Sequence, residues 1–332
     1  MLLFLHPEVA DDDKSRKLLR DLCRRGRIAG LMVDEVHLGL TGHWEAFRAG
    51  MLRKSMNVKA YFVAGAPLAV FSATLTKEEV NSVMVMAGRK KPMAVVAVGP
   101  LLNSIKICAV RRPSSQVPVL GDVDVHGREV PGLLHLLQRL VLNEFVRTVR
   151  AGPPYDSFKK TIIFFRNTMQ MCQINGWLIT ELGGGRHSTS LFLMNHSSVS
   201  KSGQAVIQAR INNYLLILTT SRMLLGMDVA GLKQVIMVRP PNTLHAVVQA
   251  GGRAGRLLHT GEREATITYV IFNDQDLGQN VLGMSDEVRN LCRSKDTCLQ
   301  KIVREAFLGS YSWDLPTNTY NCCSVCDRNA QS

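Results

Sequence analysis

The sequence predicts an α/β protein with parallel sheets, because short apolar runs alternate with segments of helical periodicity along most of the chain. Five apolar runs in the second half are predicted to be strands of one sheet, at residues 161–165, 191–194, 215–218, 235–238 and 266–271. Helical patterns separate them, near residues 169–182, 200–212 and 243–250. Strands that alternate with helices indicate parallel pairing through crossover helices.

The first hundred residues contain a shorter version of the same pattern. A charged amphipathic helix is predicted over residues 11–25, followed by buried strands at 28–33 and 68–71. Thr76 and Glu79 have the spacing of a capping box, which predicts a helix that begins directly after Thr76.

Three parts of the chain are predicted from these patterns. Residues 1–100 form the first α/β unit, residues 101–277 the second, and residues 278–332 a helical, cysteine-rich module. The second unit begins with a loop at 111–127, which is rich in Pro, Ser and Gly, and a long helix at 133–149.

The charge predicts a polyanionic partner. Among 332 residues, 40 Lys and Arg oppose 27 Asp and Glu, which gives a net charge of +13. A nucleic acid is the usual partner of such a chain, and a basic soluble enzyme is the alternative. No apolar run approaches the length of a membrane span, and residues 1–5 are too short for a secretion signal. We therefore expect a protein that is not secreted and has no membrane partner.

Two acids follow the first predicted strand at its carboxyl end. In open parallel sheets this edge is where ligands bind. Asp34 is placed to hold a Mg²⁺ bound to a nucleotide, and Glu35 to orient the attacking water. The alternative for this pair is a strand end that meets a helix N-terminus.

A glycine-rich segment late in the chain carries two arginines three residues apart, Arg253 and Arg256. Its glycines allow close backbone approach, and both guanidiniums can face one phosphate group. We interpret this segment as the opening of a helix. Together with the acids of the first unit, it predicts a nucleotide held between two lobes.

Cysteine is concentrated at the end of the chain. Five of the eight cysteines fall within residues 292–332, namely Cys292, Cys298, Cys322, Cys323 and Cys326. Without a secretory signal, such clustering favours a metal site over disulfides. Cys23, Cys108 and Cys172 are predicted to be small buried hydrophobic residues.

Four motifs, in this order, resemble those of superfamily 2 helicases: Asp34-Glu35-Val36-His37, Ser72-Ala73-Thr74, Gly226-Met227-Asp228, and the segment from Gln249 to Arg256. More narrowly, the chain resembles the RecQ family of ATP-dependent 3′–5′ DNA helicases. That resemblance is carried by His6-Pro7-Glu8, Gly42-His43-Trp44 before Phe47-Arg48, His196, and the segment from Cys298 to Cys326. It implies two RecA-like lobes, the first of them incomplete, followed by a small zinc-binding module.

The resemblance also implies roles for single residues on ATP and Mg²⁺. Asp34 and Glu35 keep the roles given above, and Gln249 contacts the γ-phosphate region. Arg253 and Arg256 stabilise transition-state charge. The residues that couple nucleotide state to DNA, or lie at the ribose side of the cleft, are His37, Ser72, Ala73, Thr74, Gly226 and Asp228.

The implied partner is single-stranded or forked DNA. Trp44 and Phe47 stack on bases next to Arg48, while His196 and Thr220 contact the phosphate backbone. In this chain the aromatic residue Trp44 follows Gly42-His43, whereas RecQ proteins usually place an aromatic residue just before that pair. The alternative to base stacking is therefore that Trp44 packs within the protein. For His196 the alternative to a contact with the phosphate backbone is an ordinary position in a solvent-exposed turn.

The resemblance implies a structural Zn²⁺ with thiolate ligands. Cys298, Cys323 and Cys326 supply three of the four that a tetrahedral ion needs, and Cys322 or Cys292 is left as the fourth.

The phosphate-binding motif Gly-x-x-x-x-Gly-Lys-Ser/Thr is absent from the sequence. Only 33 residues precede Asp34, about the length of one βαβ unit. We therefore expect an N-terminally truncated fragment that hydrolyses no ATP by itself. The alternatives are a non-catalytic nucleic-acid-binding protein and, less favoured, a DExH RNA helicase. The expected location is the nucleus in a eukaryote and otherwise the cytoplasm.

Overall fold

The computed structural model describes residues 12–36, 67–72, 74–86, 105–112, 132–185, 190–196, 198–220, 229–254, 266–308 and 322–331, together with Leu3 and Val9. The chain divides into two compact units. One comprises Met1–Pro100 with Arg304–Trp313, and the other Leu101–Val303 with Asp314–Ser332.

The first unit contains two short parallel strands and two helices in its described part. They are α1 (Asp13–Arg24), β1 (Leu31–Val33), β2 (Leu68–Val70) and α2 (Lys77–Met86). The predicted capping box is confirmed, because Thr76 N donates to Glu79 Oε2 at 2.8 Å and Glu79 N donates to Thr76 Oγ1 at 3.2 Å. These two bonds satisfy amides that the first turn of α2 leaves without a helical partner.

The second unit is built on one six-stranded, wholly parallel sheet. Its strands are β3 (Ile105–Arg111), β4 (Thr161–Phe165), β5 (Phe192–Asn195), β6 (Leu216–Thr220), β7 (Gln234–Val238) and β8 (Thr266–Phe272). They lie in the order β3-β8-β7-β4-β6-β5. Since all pairs are parallel, all six carboxyl ends lie at one edge.

Among the described residues, eight further α-helices connect these strands and follow them. Their bounds are α3 (Gly132–Leu137), α4 (Asn143–Ala151), α5 (Thr168–Glu181), α6 (Lys201–Arg210), α7 (Leu244–Gly251), α8 (Asp286–Arg293), α9 (Leu299–Leu308) and α10 (Ser324–Gln331). A π-helical turn, Gln138–Leu142, joins α3 to α4, so the predicted helix at 133–149 is confirmed with a wider turn inside it.

The core of the second unit explains why its strands lack alternation. Every residue of β4 and β7 is buried, because helices cover both faces of the central strands. Phe145, Phe158 and Phe192 pack edge to face, with ring centroids 5.3 and 6.0 Å apart.

Two predictions of local structure are wrong. β3 was not predicted, and Arg111, which was placed in a loop, is its last residue. This strand mixes Lys106 and Arg111 with apolar residues because it is the edge strand of the described sheet, where polar side chains reach solvent. Cys172 is exposed on α5 instead of buried.

In the part of the chain that the structure describes, no helix is both long enough and apolar enough to cross a membrane.

Candidate functional site

The two acids of the first unit lie directly after β1. Asp34 is exposed, and its Oδ1 accepts a hydrogen bond from Glu35 N at 2.8 Å. Glu35 has φ 50°, a left-handed conformation that is unusual for a residue with a side chain. Such a conformation costs about 1–3 kcal/mol, so the surrounding turn must hold it in place.

The Ser72–Thr74 turn follows β2 and lies beside these acids at the carboxyl end of the β1–β2 pair. Phe71 N donates to Val33 O at 2.8 Å, and Val36 N donates to Phe71 O at 3.2 Å. Ser72 Oγ accepts from Thr74 N at 3.2 Å and donates to Thr74 O at 2.9 Å, which closes a tight turn. The structure thus brings together two of the predicted motifs.

Eight predicted site residues lie outside the described residues: His37, Trp44, Phe47, Arg48, Ala73, Gly226, Asp228 and Arg256. Their roles stay predictions.

In its described part, residues 249–254, the glycine-rich segment ends a helix and does not open one, so the prediction is wrong for these residues. Gln249 lies in the last turn of α7, and Arg253 follows the end of that helix. Gly251 allows α7 to pack closely on β8, since a Cβ at this position would lie 3.1 Å from Thr268 Oγ1. Arg253 therefore lies near the negative end of a helix dipole, which favours a cation.

His196 and Thr220 lie side by side at the carboxyl edge of the large sheet. Asn195 and Thr219 are register partners, and His196 and Thr220 come one residue later on the two strands. Thr220 also pairs with Phe165 of β4, so the exposed Arg166 follows at the next strand end. The prediction missed Arg166, although a cation directly after a fully apolar strand was a usable signal.

His196 presents a defined donor. Its Nδ1 accepts a hydrogen bond from Ser198 N at 3.3 Å. Since Nδ1 is the acceptor, a neutral ring carries its proton on Nε2. The arrangement of His196 Nε2–H, the Thr220 hydroxyl and the Arg166 guanidinium suits the oxygens of a phosphate chain.

A buried ion cluster lies at the carboxyl ends of β3, β8 and β7. Arg112 Nη2 lies 2.9 Å from Asp276 Oδ2, and Arg239 Nε lies 3.2 Å from Asp276 Oδ1. Asn273 N donates to Asp276 Oδ2 at 3.0 Å. Sequence reasoning missed this cluster because its members come from three distant segments, and it links three strand ends through one carboxylate.

The four cysteines predicted to bind metal form one cluster. The sulfurs of Cys298, Cys322, Cys323 and Cys326 all lie within 4.8 Å of one another. Cys298 Sγ is 3.5 Å from Cys322 Sγ and 3.9 Å from Cys323 Sγ. Four sulfurs about 2.3 Å from a tetrahedral ion lie about 3.8 Å apart, so the observed spacing fits Zn²⁺.

Three contacts hold this cluster against β3. Cys323 forms a parallel bridge with Ile107, and Ile107 N donates to Cys322 O at 3.1 Å. Lys106 Nζ lies 2.5 Å from Asp327 Oδ2 of α10. The cysteines are therefore fixed to the edge of the large sheet.

The thiols differ in their tendency to ionise. A hydrogen bond from Cys298 lowers the pKa of Cys323 to about 4, and the amides of Cys326 and Leu299 support the thiolate, each 3.4 Å from Cys323 Sγ. The hydrogen bond to Cys323 raises the pKa of Cys298, and burial raises that of Cys322 to about 12. Cys323 therefore ionises more readily than Cys298 and Cys322, which must lose their protons to bind a metal.

Of the two cysteines that the sequence leaves open as the fourth ligand, Cys322 belongs to the cluster and Cys292 does not, so Cys322 could complete a set of four thiolates. Cys292 is buried in α8, where burial raises its pKa to about 12. Although Cys322 and Cys323 are adjacent, both sulfurs belong to the cluster, where the chain passes from the β3 bridge into α10.

Residues 143–257 match the family model described as "Helicase conserved C-terminal domain". The match begins at α4 and includes β4 to β7, α7 and Arg253. No curated protein sequence matches the chain.

Two solved structures share the fold. The helicase Lhr of Mycobacterium smegmatis, bound to single-stranded DNA and AMP-PNP, has a TM-score of 0.55 and 18% identity over 82% of this chain. The helicase MrfA bound to DNA has a TM-score of 0.53 and 15% identity over 80%. The chain spans 31% and 34% of those proteins. The six-stranded sheet therefore has a RecA-like fold, and residues 143–257 are similar to the helicase C-terminal domain family.

Proposed function

We propose that the chain is part of a RecQ-like, ATP-dependent 3′–5′ DNA helicase that acts in recombination or repair. The observation that carries this proposal is a helicase C-terminal domain followed, on the same sheet, by a four-cysteine cluster with zinc geometry. In this proposal residues 1–100 belong to the first RecA-like lobe, 101–277 form the second, and 278–332 form the zinc-binding module.

The acids and the arginine segment act on the nucleotide. Asp34 holds the magnesium of ATP through water, and Glu35 positions the water that attacks. Gln249 and Arg253, at the end of α7, meet the charge that develops on the phosphates. The Ser72–Thr74 turn adjoins the acids through the bonds of Phe71, which supports its role in coupling nucleotide state to DNA.

Single-stranded or forked DNA lies along the carboxyl edge of the large sheet. His196, Thr220 and Arg166 bind its phosphates there, and the net charge of +13 favours a polyanion. A nuclear location follows if the organism is eukaryotic. Zn²⁺ has a structural role only, because all four ligands are cysteines and no ligand position is left for a substrate.

A second candidate is a nucleic-acid-binding protein without ATP hydrolysis. The absence of Gly-x-x-x-x-Gly-Lys-Ser/Thr from the 332 residues favours it, because that loop supplies the backbone amides and the lysine that hold the β- and γ-phosphates.

A comparison of DNA and RNA tests the proposed partner. Fluorescence anisotropy with a labelled single-stranded DNA and the RNA of the same sequence is measured from 50 to 300 mM salt, chosen as a practical range. We expect tighter binding of the DNA at every salt concentration, with log K falling linearly with log salt. Equal or tighter binding of the RNA would favour the RNA-helicase alternative, and no binding to either would reject both.

A further inference from the structure

The outer edge of β5 is open in the part of the second unit that the structure describes. β5 is the last strand in the sheet order and pairs on one side only, with β6. Leu191 O accepts from Leu215 N at 2.8 Å, so the peptide groups of Leu191 and Leu193 face β6. Because alternate residues of a parallel strand turn to opposite sides, Phe192 and Met194 direct their N–H and C=O groups outward.

A groove follows this edge. A cavity of about 470 Å³ is lined by residues 190–194, by Asn175 and Ile179 of α5, and by Arg210, Asn213 and Tyr214. Crossovers from β4 to β5 and from β5 to β6 run in opposite directions. Since both are right-handed, α5 and α6 cover opposite faces of the sheet. The groove therefore has one wall on each face.

The two walls differ in chemistry. On the α5 wall the Ile179 side chain is 40% exposed and presents apolar surface to the groove. On the α6 wall Arg210 is exposed and forms no ion pair with any described residue. A strand added beside β5 would direct successive side chains to the two walls in turn, because the side-chain period of a strand is two.

We propose that the β5 edge binds an extended, acidic peptide segment of a partner protein. The segment pairs with Phe192 and Met194 through main-chain hydrogen bonds and alternates apolar side chains, packed on Ile179, with carboxylates that face Arg210. Charge favours this occupant over a second copy of the chain. Two chains that each carry a net charge of +13 repel each other, and pairing the same edge of both would place two Arg210 side chains in one groove.

The test uses a labelled seven-residue peptide of alternating valine and aspartate, a length chosen to span the groove. We expect saturable binding by anisotropy and slower hydrogen exchange at the amides of Phe192 and Met194. A peptide of alternating valine and lysine should not bind. Equal binding of both peptides, or unchanged exchange at these amides, would overturn the proposal.

Variants locate the contact. Arg210→Glu should weaken peptide binding about fivefold, as expected for reversal of an exposed ion pair. Arg147→Glu is the matched control: this arginine of α4 is also exposed, and it does not line the groove. Met194→Pro removes one outward N–H at an edge that tolerates proline and should abolish binding. If the Met194→Pro variant does not fold, the proposal is tested by whether the peptide slows hydrogen exchange at the Phe192 amide of the unsubstituted chain.

Equal weakening by Arg210→Glu and Arg147→Glu would contradict a local contact. Sedimentation that finds a dimer, with the Phe192 and Met194 amides protected before peptide is added, would show that a second copy occupies the edge and would overturn the proposal.

Discussion

Cys323→Ser is expected to abolish zinc binding. The unsubstituted chain should contain one zinc per polypeptide by elemental analysis after exhaustive dialysis, and the variant none. The hydrogen bond with Cys298 lowers the pKa of the Cys323 thiol to about 4, and two amides donate to its sulfur. Serine has no comparable thiolate. Structural zinc contributes about 10 kcal/mol or more to folding in small zinc peptides, so the helices α9 and α10 should lose their fixed positions.

Cys172→Ser is the matched control, since this cysteine is exposed on α5 of the same unit and lies outside the cluster. It should retain one zinc and full thermal stability. Acid should release the metal from the unsubstituted chain, because the raised pKa values of Cys298 and Cys322 make protons strong competitors. A zinc-free chain at neutral pH, or zinc retained by Cys323→Ser, would contradict the assignment.

Asp276→Ala is expected to lower the free energy of unfolding by about 3–5 kcal/mol. The side chain of Arg112 is 1% exposed and that of Asp276 is 5% exposed. Arg112 Nε and Nη1 have no hydrogen-bond partner among the described residues, so the carboxylate is the one neutralising contact of this guanidinium that the structure records. Removing it leaves a buried charge. Urea unfolding followed by circular dichroism measures the loss.

Asp274→Ala provides the comparison on the same turn. Asp274 pairs with Arg111, but both side chains are 67% exposed, and such pairs contribute about 0–1 kcal/mol. A double variant, Arg112→Met with Asp276→Leu, should recover most of the stability, because apolar residues can replace a buried ion pair. A loss for Asp276→Ala no larger than that for Asp274→Ala would show that the cluster is not buried in solution.

The sequence predicted elements with strong periodicity and missed those whose character depends on distant partners. β4 and β7 are buried on both faces, and their unbroken apolar runs were sufficient to find them. β3 contains Lys106, whose place in a strand is explained by its ion pair with Asp327 of α10. An ion pair across more than two hundred residues leaves no local pattern.

The candidate site divides in the same way. The capping box of α2 and the cysteine spacing were readable because each depends on residues close in sequence. The end of α7 cannot be predicted from its glycines, since glycine occurs at both ends of helices. The contact of Arg239 with Asp276 could not be predicted, because it forms only where three strand ends meet at one edge of the sheet. Arg239 has a φ of 68° at this position.

The most direct test of the central claim compares two cations at opposite ends of β4. Arg166 follows the carboxyl end of this strand and Lys159 precedes its amino end, and both are exposed. Affinity for single-stranded DNA is measured across salt for Arg166→Ala and Lys159→Ala. We expect Arg166→Ala to bind single-stranded DNA more weakly, with a slope of log K against log salt that is smaller by about 0.7. The affinity and slope of Lys159→Ala should equal those of the unsubstituted chain. Equal effects, or a loss confined to Lys159→Ala, would contradict a nucleic-acid site at the carboxyl edge.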